Sequence, residues 1–202
     1  MVSVILATED ALSEKTAERL VVEPGGLCIS SRIPGGGYGG LKRKLPGLLR
    51  TAEHIPVLLL TDLDKVHCAP TLINQWTSNR PLPNKMLLRV AVREVEAWLL
   101  ADAHAMSQFL RVSEARFPRN PDDEIDPKRT LLELAKKAPR RIRDELLKPP
   151  YAIAAQGLGY NEVLGRFVGT EWSPERAAQR SPSLARTRRR IRELAAQEMT
   201  GT

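Results

Sequence analysis

The run Val57-Leu58-Leu59-Leu60, closed by Thr61-Asp62-Leu63-Asp64, constrains this chain more than any other stretch. Four consecutive apolar residues ending in polar ones suit a strand buried on both faces, as in a parallel sheet covered by helices. Two carboxylates two residues apart leave such a strand on the same side. The pattern recurs. Val2 to Ala7 reads as a strand followed by Glu9, residues 27–33 as a second, and residues 86–92 as another that flows through Arg93 into Glu94 and Glu96.

Helical patterns separate these runs. Glu9-Asp10-Ala11-Leu12-Ser13-Glu14 opens a helix reaching about Leu20, with acids suited to its first turn. A basic helix with Lys42, Arg43, Lys44 and Arg50 follows the second strand. A short one spans Leu72 to Trp76, and another runs through Ala97-Trp98-Leu99-Leu100-Ala101. Alternating strands and helices predict an α/β layer fold with a mainly parallel sheet. In such folds ligands gather beyond the carboxyl ends of the strands, where Glu9, Asp62, Asp64, Glu94 and Glu96 all fall. Residues 104–147 read as interrupted helices, with an acidic loop at Asp122 to Pro127 and a helix from Lys128 striped by Leu131, Leu132, Leu134 and Ala135. Pro149-Pro150 breaks the chain, Ser173-Pro174 starts a short helix, and Leu184 to Ala196 forms the last.

Charge divides the 202 residues in two. Residues 1–127 hold 15 basic and 16 acidic side chains, whereas residues 128–202 hold 16 basic and 8 acidic. The expected organisation is an α/β domain over 1–127, with a basic helical extension over 128–202 packed against it. A polyanion could be held by one part and cut or bound at the other. Arg140, Arg141 and Arg143, and then Arg186, Arg188, Arg189, Arg190 and Arg192, grip phosphates or simply keep the surface solvated. Aromatic residues make up only 4%, too few for broad base-stacking platforms. Cys28 and Cys68 form no close metal-binding pair, no signal-type segment opens the chain, and no apolar run approaches a membrane span. A cytoplasmic protein with no membrane partner is expected.

The acids suit Mg²⁺ or Mn²⁺, which prefer carboxylate and water oxygens. Asp62 and Asp64 would supply the pair and Glu9 would complete a shell or position water. Glu94 or Glu96 would help hold a second ion, the other pairing with an arginine such as Arg93. Each has an ordinary structural alternative as a cap or surface acid. The loop Pro34-Gly35-Gly36-Gly37-Tyr38-Gly39-Gly40 brings backbone amides toward a phosphate or is a plain surface loop. In the first case Gly36, Gly37, Tyr38, Lys42 and Arg43 contact substrate, joined by Lys65 after the acids. The loop matches neither GxxxxGK[ST] nor GxGxxG, so ATP and NAD are not indicated.

Glu9 and Asp62-Leu63-Asp64 together resemble the Toprim domain, named for topoisomerases and primases. Arg93-Glu94-Val95-Glu96-Ala97-Trp98-Leu99-Leu100-Ala101-Asp102 is similar to a segment of small stand-alone Toprim-like proteins. Those are related to nucleases of the overcoming-lysogenisation-defect type and to RloB-like proteins of bacterial defence loci. Gly159-Tyr160-Asn161 and Ser181-Pro182-Ser183-Leu184-Ala185-Arg186 resemble tail segments of the same group. The resemblance implies a Toprim-like, Rossmann-type fold. It makes Glu9 a metal ligand or general acid–base residue, Asp62 and Asp64 metal ligands, and Glu96, with its neighbour Glu94, the acids of the later motif. Ser181, Ser183 and Arg186 would line the same cleft. Thr8 stands where many Toprim domains have glycine, and Val66 where some have a third aspartate. The implied function is Mg²⁺- or Mn²⁺-dependent nuclease chemistry in anti-phage defence, on DNA in preference to RNA. The alternative is a non-catalytic nucleic-acid-binding or regulatory partner of another defence protein. A homodimer would lengthen the surface for a duplex.

Overall fold

The computed structural model describes residues 1–149, 151 and 156–200, with side chains to Gln197. Pro150, Gly201 and Thr202, which fall in the predicted chain break and at the end of the extension, lie outside the described residues.

The first half alternates as the apolar runs require. Strand β1 (Val2–Thr8) leads to α1 (Ala11–Val22), β2 (Leu27–Pro34) to α2 (Tyr38–Thr51), β3 (Val57–Asp62) to α3 (Ala69–Thr77), and β4 (Met86–Ala91) to α4 (Val95–Ala101). All four strands are parallel, in the order β2-β1-β3-β4. Central β3 buries Val57 through Thr61 completely, which is why its sequence is continuously apolar instead of alternating. Edge strand β2 carries Ser30, Ser31 and Arg32 exposed, and its register against β1 slips between Val4 and Ile5.

Period-two alternation sends β3 side chains into two cores. Leu58 and Leu60 face α1 and the C-terminal helices, whereas Val57 and Leu59 face α2 and α3. The chain continues through α5 (Ala103–Leu110), two short 3₁₀ turns, α6 (Pro127–Ala135), α7 (Arg140–Leu146), α8 (Tyr160–Thr170), α9 (Pro174–Ala178) and α10 (Pro182–Thr200). Leu131, Val163, Phe167, Trp172, Leu184 and Ile191 share one continuous core with Leu58 and Leu60. The basic extension is therefore packed on the sheet. Ion pairs fasten it: Asp102, 1% exposed, takes Arg176 in a two-point clasp at 2.9 and 2.8 Å. Glu23, just past α1, accepts from Arg188 Nε at 2.9 Å and from Arg192 at 3.3 Å.

One sequence expectation changes. The strand does not carry through the Asp62-Leu63-Asp64 motif: β3 ends at Asp62, Leu63 is buried, and Asp64 is exposed with φ of 49°. Leu63 and Asp64 donate their amides to the Arg93 carbonyl, and Arg93 Nη1 donates back to the carbonyls of Asp64 and Val66, each at 3.1 Å. That reciprocal clamp turns the chain away from the sheet. Helix α8 fills a stretch that drew no structural reading from the sequence, its glycines concealing it.

Candidate functional site

In a sheet ordered β2-β1-β3-β4 the chain leaves β1 for one side and then crosses to the other. The crevice opens between the carboxyl ends of β1 and β3. Glu9 follows β1 and Asp62 ends β3, so the topology brings together two acids 53 residues apart in sequence. Glu9 Oε1 accepts from the Asp62 amide at 3.1 Å and from the Thr61 hydroxyl. Asp62 Oδ1 in turn accepts from the Val95 amide, the first residue of α4, at 3.0 Å. Each carboxylate thus has one oxygen fixed by a protein donor.

The third strand end supplies Glu94 and Glu96. Glu94 is still extended as the N-cap position of α4, and Glu96 lies in the first turn, 6% exposed. Arg93 points to the Asp64 turn, so the acid of this pair that needs a cation finds it elsewhere. Glu96 accepts from the Tyr160 hydroxyl at 2.8 Å, and the Lys128 ammonium stands 3.9 Å from the same oxygen. That ammonium lies 4.9 Å above the Tyr160 ring, while the Lys128 amide donates to Glu94 at 3.0 Å. Tyr160 opens α8 and Lys128 lies in the first turn of α6, so the extension completes the acidic site from behind.

These carboxyls hold their protons more tightly than ordinary acids. Burial pushes Asp62 well up, with Glu96, Glu9, Asp10 and Asp64 adding repulsion, even though part of its surface still reaches solvent. Burial also raises Glu9, outweighing the hydrogen bonds from Thr61 and Asp62, and Asp64 and Asp10 add to it. Glu94 is raised to about 7, by burial first and the Glu96 charge second. Burial raises Glu96 against the opposing pull of Lys128 and Tyr160, and raises Asp64 against Lys65. Mutual repulsion of this kind eases when positive charge enters. Among the described residues, however, no three carboxylate, imidazole or thiol groups converge into a metal shell as the side chains stand.

A cavity of about 650 Å³ opens beside the acids, lined by Tyr38, Asp64, Lys65, Arg93, Glu94 and Asp126 among others. Glu94 and Asp126 also line a second, of about 610 Å³, whose walls include Lys128, Arg129, Lys136 and Lys148. The glycine loop docks on the first acid: the Gly35 and Gly37 amides donate to the carbonyls of Thr8 and Glu9 at 2.6 and 3.1 Å. Those two amides are therefore used within the fold. Gly36 and Gly37 have φ of 69° and 82° and expose their backbone. Tyr38 presents its ring to the cavity while its hydroxyl accepts from Trp76 at 3.0 Å.

The remaining predicted contacts lie apart. Lys42 and Arg43 are exposed on α2, Arg43 lining a separate shallow hollow with Lys44 and Arg50. Ser181 and Ser183 are buried in a clasp, their hydroxyls 3.2 Å from each other. Ser181 donates to Asp122 at 2.6 Å, and Trp98 donates to Ser183 at 2.7 Å. Arg186 is exposed on α10. Sequence reasoning assigned no role to Thr61, Lys128 or Tyr160. Only Tyr160 carried a signal, within Gly159-Tyr160-Asn161.

The fold is thus an α/β layer with a parallel sheet, followed by a run of helices, with an acidic crevice at the switch point. The chain matches no family model, no curated protein and no solved structure. Among the described residues no helix is long and apolar enough to cross a membrane.

Proposed function

We propose that this protein is a Mg²⁺- or Mn²⁺-dependent phosphodiesterase acting on nucleic acid, a Toprim-like nuclease. The observation carrying this reading is the gathering of Glu9, Asp62, Asp64, Glu94 and Glu96 beyond three parallel strands, where burial and mutual repulsion raise their proton affinity. Lys128 lowers Glu96 and Lys65 lowers Asp64, but neither cancels the rise.

The donors are all oxygens, as a hard cation requires. A closed protein shell is not what these residues fit, since no three converge. Mg²⁺ is commonly held by one or two carboxylates, keeps several waters and takes further oxygens from substrate phosphates. Glu9 and Asp62 fit that mode and would hold the ion, with Asp64 beside them. Once bound, the ion lowers the pKa of a water and neutralises charge on the phosphate. Thr61 and the Asp62 amide orient Glu9, and the Val95 amide orients Asp62. Glu94, raised to about 7 on the cavity wall, is placed to accept or return a proton. DNA as the preferred substrate, a cytoplasmic setting and a place in anti-phage defence rest on the Toprim resemblance.

Cleavage of labelled DNA and RNA with Mg²⁺ or Mn²⁺ tests this. Glu9→Gln and Asp62→Asn should each lower the metal-dependent rate at least about 100-fold, equivalent to ~2.7 kcal/mol of barrier. Unchanged rates in both variants would end the assignment. A second reading has its own observation: one oxygen each of Glu9, Asp62, Glu94 and Glu96 already accepts from a protein donor. A non-catalytic nucleic-acid-binding or regulatory partner protein would show salt-sensitive binding and no turnover with either metal.

A further inference from the structure

Among the described residues, partly buried arginines are met by carboxylates or by backbone carbonyls, with one exception. Arg188 is held by Glu23 and Arg143 by Asp144, while Arg93 and Arg180 donate to backbone carbonyls. Arg89 is half-buried in edge strand β4, and among the described residues no carboxylate stands within ion-pair distance of it. Its hydrogen bond goes to the Thr187 hydroxyl, at a long 3.5 Å. Its surroundings repel it: burial lowers its pKa first, then Arg190, Arg186 and Arg189, against Glu193 alone.

Those neighbours lie on α10. Leu184, Thr187, Arg188, Ile191 and Leu194 form its buried face, and exposed Arg190 and Arg186 adjoin Thr187 at the flank of that face, with exposed Arg189 and half-buried Glu193 further round. Glu193 pairs with both Arg189, at 3.6 Å, and Arg190, while Arg186 has no ion pair among the described residues. Arg89, held at Thr187, thus lies among three further guanidiniums of α10, with Glu193 taken up by two of them. A cation kept in such a place is destabilising in the free protein and is relieved by an incoming anion.

We propose that Arg89, Arg186, Arg189 and Arg190 form a binding surface for the phosphodiester backbone of a nucleic acid. Guanidinium forks match phosphate oxygens in planar, two-point fashion. Arg186 and Arg190 stand about 6 Å apart along the helix axis, close to two phosphate intervals of about 3.4 Å on one strand. Arg89 lies two residues before the end of β4, where Ala91 pairs with Asp62, so a strand on this surface runs toward the acidic crevice. The inference deepens the reading of that crevice as a phosphodiester site and rests on it for the choice of a nucleic acid over an acidic protein.

The test is fluorescence anisotropy with a labelled DNA duplex of about 20 base pairs, and an RNA duplex of the same sequence, in EDTA across 50 to 200 mM salt. The variants are Arg89→Gln and the double exposed change Arg186→Gln with Arg190→Gln, which keeps the test valid should the strand variant misfold. The double variant should bind at least about tenfold more weakly and flatten the salt slope by about two, whatever the base sequence. DNA and RNA arms show which backbone is preferred. Unchanged affinity and slope in the double variant, or equal displacement of the duplex by polyglutamate, would overturn the proposal. Binding is read without metal or turnover, so its failure leaves the Asp62→Asn cleavage test standing, and the reverse also holds.

Discussion

Asp62 holds the most disfavoured charge of the acidic site, because burial and four neighbouring acids act in the same direction. Asp62→Asn keeps an oxygen for the Val95 amide and removes that charge. In EDTA the variant should melt about 2–4 °C above wild type, the shift of ~1 kcal/mol in a chain of this size, as thermal unfolding will show. A lower melting temperature would mean the repulsion is already relieved in the free protein. Tyr160→Phe does the opposite to Glu96: it leaves a buried acceptor without its hydroxyl donor. Urea unfolding should register a loss of about 1–3 kcal/mol. Glu9 and Asp62 were legible in the sequence because an acid one threonine past an apolar run marks a strand end. Lys128 was not, since a lysine in a first helical turn resembles any solvated lysine until α6 is seen to seat it over Tyr160.

At the scale of elements, the apolar runs announced all four strands and the helices between them. Where reading failed, a competing force was at work. The motif after β3 was expected to stay extended, but the Arg93 clamp, made across sequence, bends it at Asp64. Helix α8 was concealed by Gly165 and Gly169, poor helix formers held in place by burial of Val163, Leu164, Phe167 and Val168. The glycine loop shows both sides of glycine's role. A Cβ on Gly40 would sit 2.0 Å from the Gly35 carbonyl oxygen, forcing apart the loop that rests on Glu9, whereas one on Gly47, in the same helix, meets open space. Gly40→Ala should therefore destabilise by about 1–3 kcal/mol, while Gly47→Ala should stabilise by about 0.5–1 kcal/mol. Chemical denaturation of the two compares them directly, and equal effects would contradict the close approach.

The molecule as a whole couples its acidic centre to its stability. Carboxyls whose folded pKa is raised bind more protons folded than unfolded, so their contribution favours the folded state below about pH 4.5 and fades as pH rises through the folded values. Glu94 fixes one such value at about 7, and Asp62, Glu9, Glu96 and Asp64 shift in the same direction. Melting temperature in EDTA should fall between pH 5 and 8, and Mg²⁺ at pH 8 should restore part of the loss. The sheet order that creates the crevice could not be read from alternating elements alone, because helices crossing to either side leave the same pattern. The proposed seat for a divalent cation at that switch point is the Glu9–Asp62 pair. Anomalous diffraction from a crystal soaked in Mn²⁺ tests that seat: a peak is expected between the Glu9 and Asp62 carboxylates, and saturating Mn²⁺ with no density there would rule it out.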